Sequence, residues 1–252
     1  GQRKLWGELW TKDSQGEKGE VPANKSKAEA LNSFKWPATT RVPELPPISV
    51  SKLRKVSLLF SLKTAQAPDG FHVRHFGLLS DGALAVLSEI LQVIELLGKW
   101  PSQVSQLVVA MLEKPSGGFR PIGIFPGIYR LWMKTRGPLC AKWEAEHDLS
   151  CFAMGKQRGP TDVIWRQSVK SEASVTKGDD AAVLLWDLVK FYESLSHRRL
   201  FDEAKALEVP MAIIRLNLAG YAFPRFVTLG GMVADPTTPL RGVVAGCGAA
   251  TT

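Results

Sequence analysis

The clearest regular pattern in the chain is an apolar stripe at Leu84, Leu87, Leu91, Ile94 and Leu97, recurring in steps of three and four. Such spacing puts side chains on one face of a helix, here between a Ser80 N-cap and a Gly98 stop, and the stripe reads as core. Val104 to Leu112 reads as a strand, Ser116-Gly117-Gly118 as a hairpin turn, and Phe119 to Phe125 as the return strand. A long helix follows from about Pro126 to Glu146, carrying Tyr129, Arg130, Lys134, Arg136 and Lys142, with a break or kink expected at Gly137-Pro138. Thr161 to Ser171 forms a further helix with Thr161 as its candidate cap. Val183 to Trp186 is an apolar, β-prone run that ends in Asp187. Helices are expected near His197 to Leu207 and Pro210 to Ala222. Phe226 to Leu229 and Met232 to Ala234 flank Gly230-Gly231 as a second hairpin. Before all of these, Val56, Leu58, Leu59, Phe60 and Leu62 pack near a helix or short strand, and Pro68-Asp69-Gly70 makes a turn. The sum is an α+β fold, an antiparallel sheet with packed helices.

Residues 1 to 50 look different. Thr11 to Lys27 lacks hydrophobic periodicity and reads as a flexible linker, and Pro37, Pro43, Pro46 and Pro47 prevent a regular helix around Trp36 to Ile48. Trp6 and Trp10, four apart, make one helical contact face or are the clipped end of an upstream domain. The start at Gly1 and the stop at Thr252 suggest a fragment of a longer open frame.

Composition changes this picture in one respect. At 252 residues, with 45% hydrophobic and 22% charged, the chain is large enough to bury a core. A net charge of +8 and a pI of about 9.5 suit an acidic partner, nucleic acid or a membrane surface, and equally a merely basic soluble protein. No apolar run reaches the roughly 18 to 20 residues that span a bilayer, and the chain has no signal-peptide-like start. Cys140, Cys151 and Cys247 are scattered, which suits a reducing compartment and no disulfide framework. His72 and His75 lack the Cys or acidic neighbours of a zinc site.

The candidate chemistry centres on Asp187. A buried strand ending in a carboxylate offers an oxygen ligand at a sheet rim, where Mg²⁺ binds; the plainer alternative is a strand followed by a solvated carboxylate. Tyr192 lies five residues on. Lys114 and Arg120, on either side of the first hairpin turn, are cations on a stiff element suited to phosphate oxygens, or else solvated charges on an edge hairpin. Asp179 and Asp180 precede the strand by too much to share its tip.

Four blocks stand in order: Ala67-Pro68-Asp69-Gly70-Phe71, Lys114 to Ile122 with Arg120-Pro121-Ile122, the Asp187 run with Tyr192, and Leu240 to Cys247 around Gly246. Together they resemble the fingers and palm blocks of non-long-terminal-repeat retrotransposon and group II intron reverse transcriptases, over about positions 50 to 252. The resemblance implies a right-hand polymerase: an N-terminal linker over 1–50, fingers over 51–180 and a partial palm over 181–252. It implies template-directed addition of dNTPs to a primer 3′-OH with two Mg²⁺ ions, an RNA template, a DNA primer and no membrane. Asp187 becomes the catalytic metal ligand, joined by the Leu188 carbonyl. Lys114 and Arg120 contact the triphosphate, Tyr192 blocks a ribose 2′-OH, and Gly246 borders the nucleotide. Lys156 and Arg158, in the glycine-bearing stretch 152–162, are carried to template phosphates. It also implies an intracellular protein, nuclear if it comes from a eukaryotic retroelement.

The chain departs from that pattern in places. Ala245 stands where the family has Gln, and Glu193 where it often has Asp. The aromatic-x-Asp-Asp hairpin is expected beyond Thr252, so this piece alone should not catalyse. A non-catalytic, polymerase-derived nucleic-acid-binding module and an RNA-dependent RNA polymerase remain the alternatives, the latter opposed by Tyr192.

Overall fold

The computed structural model describes residues 2–10, 34–67, 69–149, 159–188 and 190–248. Lys156, Arg158 and the whole Thr11 to Lys27 stretch lie outside them. Among the described residues the fold is α+β, with a four-stranded sheet flanked by helices.

Among the described residues the first helices are α1 (Gln2–Trp10) and α2 (Val50–Leu58). Between them the proline-bearing stretch 34–49 forms no helix. Ser49 caps α2 by accepting from the Lys52 N–H. The segment around Val56 is therefore helical, with Leu53 and Val56 turned inward. A 3₁₀ turn (Val73–Leu78) leads to α3 (Asp81–Leu97). Its ends are those read from the sequence: Ser80 accepts from the Ala83 N–H and Gly98 closes it in a left-handed conformation. Leu84, Leu87, Leu91 and Ile94 are buried, but Leu97 is 64% exposed because the last turn runs past the packed surface.

The sheet follows as β1 (Leu107–Glu113) and β2 (Phe119–Ile124). Their antiparallel register runs from Val108 opposite Ile124 to Glu113 opposite Phe119. Next come α4 (Gly127–Glu146), which continues without interruption through Pro138, and α5 (Pro160–Thr176). Thr161 is not the cap of α5. Pro160 opens the helix with its φ preset, and the Asp162 carboxylate accepts from the Gly159 N–H at 2.7 Å. Then come α6 (Phe191–Ser194), α7 (His197–Ala206) and α8 (Met211–Tyr221), and last β3 (Arg225–Leu229) and β4 (Met232–Val233).

The sheet and the run before Asp187 also differ from the sequence reading. The sheet is mixed, in the order β2-β1-β3-β4: β3 and β4 pair antiparallel, but β3 lies parallel to β1, Leu107 opposite Arg225. Parallel neighbours need a long crossover, and the helices between β2 and β3 supply it. The run from Val183 to Asp187 is not a strand. It joins no ladder, and its side chains are exposed, Leu185 at 87% and Trp186 at 82%. β propensity becomes a strand only where a neighbour accepts its hydrogen bonds.

A buried ion pair ties the first half of the molecule together. Arg136 on α4 donates to both Glu95 carboxylate oxygens on α3, at 2.7 and 2.6 Å, and to the Pro46 carbonyl at 2.8 Å. Trp132 donates to the same carboxylate at 2.7 Å. Around this pair, Phe125 stacks on Tyr129 at 4.1 Å, and Trp100 meets Trp132 edge-on while donating to the Leu216 carbonyl. No helix among the described residues is long and apolar enough to cross a membrane.

Candidate functional site

The segment Leu240 to Cys247 is laid across the sheet by backbone contacts. The Gly123 N–H on β2 donates to the Ala245 carbonyl at 2.8 Å. A methyl group added at Gly123 would sit 2.0 Å from the Val244 side chain, so that residue must lack one. Gly246 takes φ +97°, where other residues are strained, and packs against the Gly123 carbonyl. On the other side, Val243 N–H donates to the Tyr192 carbonyl and Gly242 N–H to that of Leu195, both at 2.8 Å. The Tyr192 and Gly246 blocks therefore meet through main-chain bonds, and the Gly246 block is also bonded to Gly123, the residue that follows the Arg120 block.

Beneath this loop lies a buried polar cluster. The Gly242 carbonyl accepts from His197 Nε2 and from Arg225 Nη2, each at 3.0 Å. Arg225 also donates to the Tyr221 carbonyl, and its guanidinium lies 4.7 Å from the centre of the Trp10 ring. Burial pulls the Arg225 pKa down to about 9, with Glu193 opposing the shift, so it is charged at neutral pH. From α1, the Trp10 carbonyl accepts from the Leu240 N–H at 2.8 Å. The cation at Lys190, in the left-handed region at φ 52°, sits over the Trp6 ring at 4.7 Å. The shared helical face of Trp6 and Trp10 thus packs under the loop, with both rings buried. On the far side, Cys247 Sγ accepts from the Tyr221 hydroxyl at 3.7 Å and lies 3.6 Å from the Tyr129 hydroxyl, whose own proton goes to Asn217 Oδ1 at 2.6 Å. Burial, then the nearby thiol, pushes both phenol pKa values up.

His197 carries a consequence for pH. Burial, followed by the nearby Arg225 charge, outweighs the Gly242 hydrogen bond and lowers its pKa to about 4 from 6.5. The unfolded chain then binds the proton more readily than the folded one. Stability held above pH 6.5 is lost as pH falls toward 4, by about 3 kcal/mol over the full span. In melts between pH 7 and 4.5, His197→Gln should lose less stability than the parent; equal slopes would show that His197 does not titrate in this window.

The other proposed site residues are spread out. Lys114 and Arg120 are exposed on the β1–β2 hairpin, Arg120 opposite Leu112. Asp187 and Leu188 are exposed in the irregular run ahead of α6. Tyr192 is half-buried, its ring packed against the core and edge-on to Phe191 at 5.8 Å. Glu193 is buried with Arg225 as its charge neighbour, which gives it a structural place. Among the described residues no group of three or more His, Cys, Asp or Glu side chains gathers as metal ligands. Asp187 and the Leu188 carbonyl would supply two of the oxygen ligands that Mg²⁺ takes. Arg225 and His197 had no local signal in the sequence, since the Gly242 carbonyl they share lies in a separate segment.

No protein-family model matches the chain, and no curated protein matches it.

Proposed function

We propose that this chain is the fingers and part of the palm of a reverse transcriptase, the portion that holds template, primer and incoming dNTP. One observation carries the reading. Blocks that together, in their order and spacing, resemble that family lie near one another at one loop, where Tyr192 is linked to Val243 and Gly123, the residue after the Arg120 block, to Ala245. The exposed Lys114 and Arg120 on the hairpin suit contact with phosphate oxygens, and the net charge of +8 suits a polyanionic template. Bound Mg²⁺ would supply Lewis-acid activation of the primer hydroxyl and the triphosphate, with Asp187 as one ligand. The chain's own residues hold and orient: Arg120 the triphosphate, Tyr192 the sugar, Gly246 the close approach beside β2.

The family-like Tyr192 gives a direct test. In the complete open frame containing this chain, Tyr192→Ala should relax discrimination against ribonucleotides by at least about tenfold, equivalent to roughly 1.4 kcal/mol. Measured as the ratio of kcat/KM for dNTP and NTP, an unchanged value would show that the ring only packs. The second reading, a non-catalytic nucleic-acid-binding module, is favoured by Ala245 in place of the family's Gln. It predicts RNA binding without nucleotide incorporation.

A further inference from the structure

Helix α3 is apolar on two sides. Leu84, Leu87, Leu91 and Ile94 face the core, whereas Val86, Ile90, Val93 and Leu97 are between 44% and 64% exposed. The second set keeps its own period: Val86 and Val93 are seven apart, as are Ile90 and Leu97, in steps of four, three and four. At 3.6 residues per turn these four lie within about 60° of the helix circumference, the narrow seam of a helix that packs along another helix. Little of α3 is left for water. Ser88 donates to the Ile48 carbonyl and Glu95 is held by Arg136, both buried. Past Asp81, Glu89 and the half-buried Gln92 are the polar side chains that reach the surface. A helix this apolar is ordinarily covered on both sides.

The seam lines a groove of about 640 Å³, whose other wall is formed by Trp100, Pro101 and Gln103. Trp100 is buried and its indole donates to the Leu216 carbonyl, so that wall is fixed. The charged residues of the lining are Glu89, partway along α3, and Lys99, just past its C-terminal end. Both are exposed, and no ion pair among the described residues engages either.

These charges select the occupant. Two copies of α3 running in the same direction would set Glu89 beside Glu89. Turned antiparallel about a two-fold axis, the same surface supplies both members of two ion pairs, and the helix dipoles also oppose each other. With Val93 of one copy against Leu97 of the other, Glu89 lies one turn before that Val93 and Lys99 two residues past that Leu97, on the same side of the contact. We propose that this face of α3 is a dimerisation surface for a second copy of the chain, packed antiparallel with Glu89 paired to Lys99 across the two-fold. The surface is independent of the polymerase reading. A seam of about three turns falls short of the area of a tight interface, so the dimer is a weak one, with Kd on the order of micromolar.

Sedimentation equilibrium of the complete protein from about 1 to about 200 μM, a span that brackets micromolar affinity, tests this. The parent should pass from monomer to dimer across that range. Val93→Lys places a charge in the contact twice and should raise Kd at least about tenfold. Its melting temperature at the lowest concentration should match the parent, because the side chain is exposed in the monomer. Glu89→Lys and Lys99→Glu each bring like charges together and should raise Kd by about threefold, while the two changes combined restore the parental value. A parent that stays monomeric throughout overturns a second copy as the occupant and leaves the seam to a helix of another protein. A dimer indifferent to Val93→Lys overturns the surface. Single charge reversals without effect, or a double reversal that restores nothing, overturn the antiparallel pairing.

Discussion

Replacing Glu95 by alanine should destabilise the fold by roughly 3–5 kcal/mol, a large part of the stability of an ordinary domain. The carboxylate receives two hydrogen bonds from Arg136 and one from Trp132, all buried. Its loss leaves a buried guanidinium with only the Pro46 carbonyl to satisfy it. The cost comes from the orphaned charge more than from the missing attraction, and that gives a control. The double variant Glu95→Leu with Arg136→Met removes both charges at similar volume, and should lose far less than the single variant. Urea denaturation of the three proteins measures this. A loss below about 1 kcal/mol for Glu95→Ala would place the pair with weak surface bridges and contradict its burial.

In the complete open frame, Asp187→Ala should abolish primer extension while leaving RNA affinity and folding unchanged. Metal-mediated charge stabilisation is worth several kcal/mol, and at tenfold per 1.36 kcal/mol the loss should exceed about a thousandfold. The side chain is exposed and outside the packed core, so its removal should not shift the melting temperature. A stable, folded variant that still extends primers at the parental rate would remove Asp187 from the metal site.

What the sequence showed and hid follows from the range of the interactions. Helix α3 and the β1–β2 hairpin are specified locally, by a 3.6-residue stripe with Ser80 and Gly98 at its ends and by two glycines at a turn. The parallel pairing of β3 with β1 joins residues more than a hundred positions apart, and no local pattern records it. The same holds for Glu95, which looks like one more charge on an amphipathic helix until Arg136 is folded against it. The run before Asp187 misled for a related reason: an apolar, β-prone stretch states a preference but cannot name its partner strand. In the candidate site, Gly246 was legible but its purpose was not, and Gly123 drew no notice inside its strand. Gly123 and Gly246 mark one close approach of two backbones, visible only once both segments are placed.

Primer extension by the complete protein on an RNA template, supplied with Mg²⁺ and either dNTPs or NTPs, decides whether the chain is part of a reverse transcriptase. A reverse transcriptase incorporates dNTPs, discriminates strongly against NTPs, and loses incorporation in Asp187→Ala. Tight RNA binding with no incorporation of either nucleotide set would contradict that assignment and leave a binding module, while preferential NTP incorporation would make the chain part of an RNA polymerase.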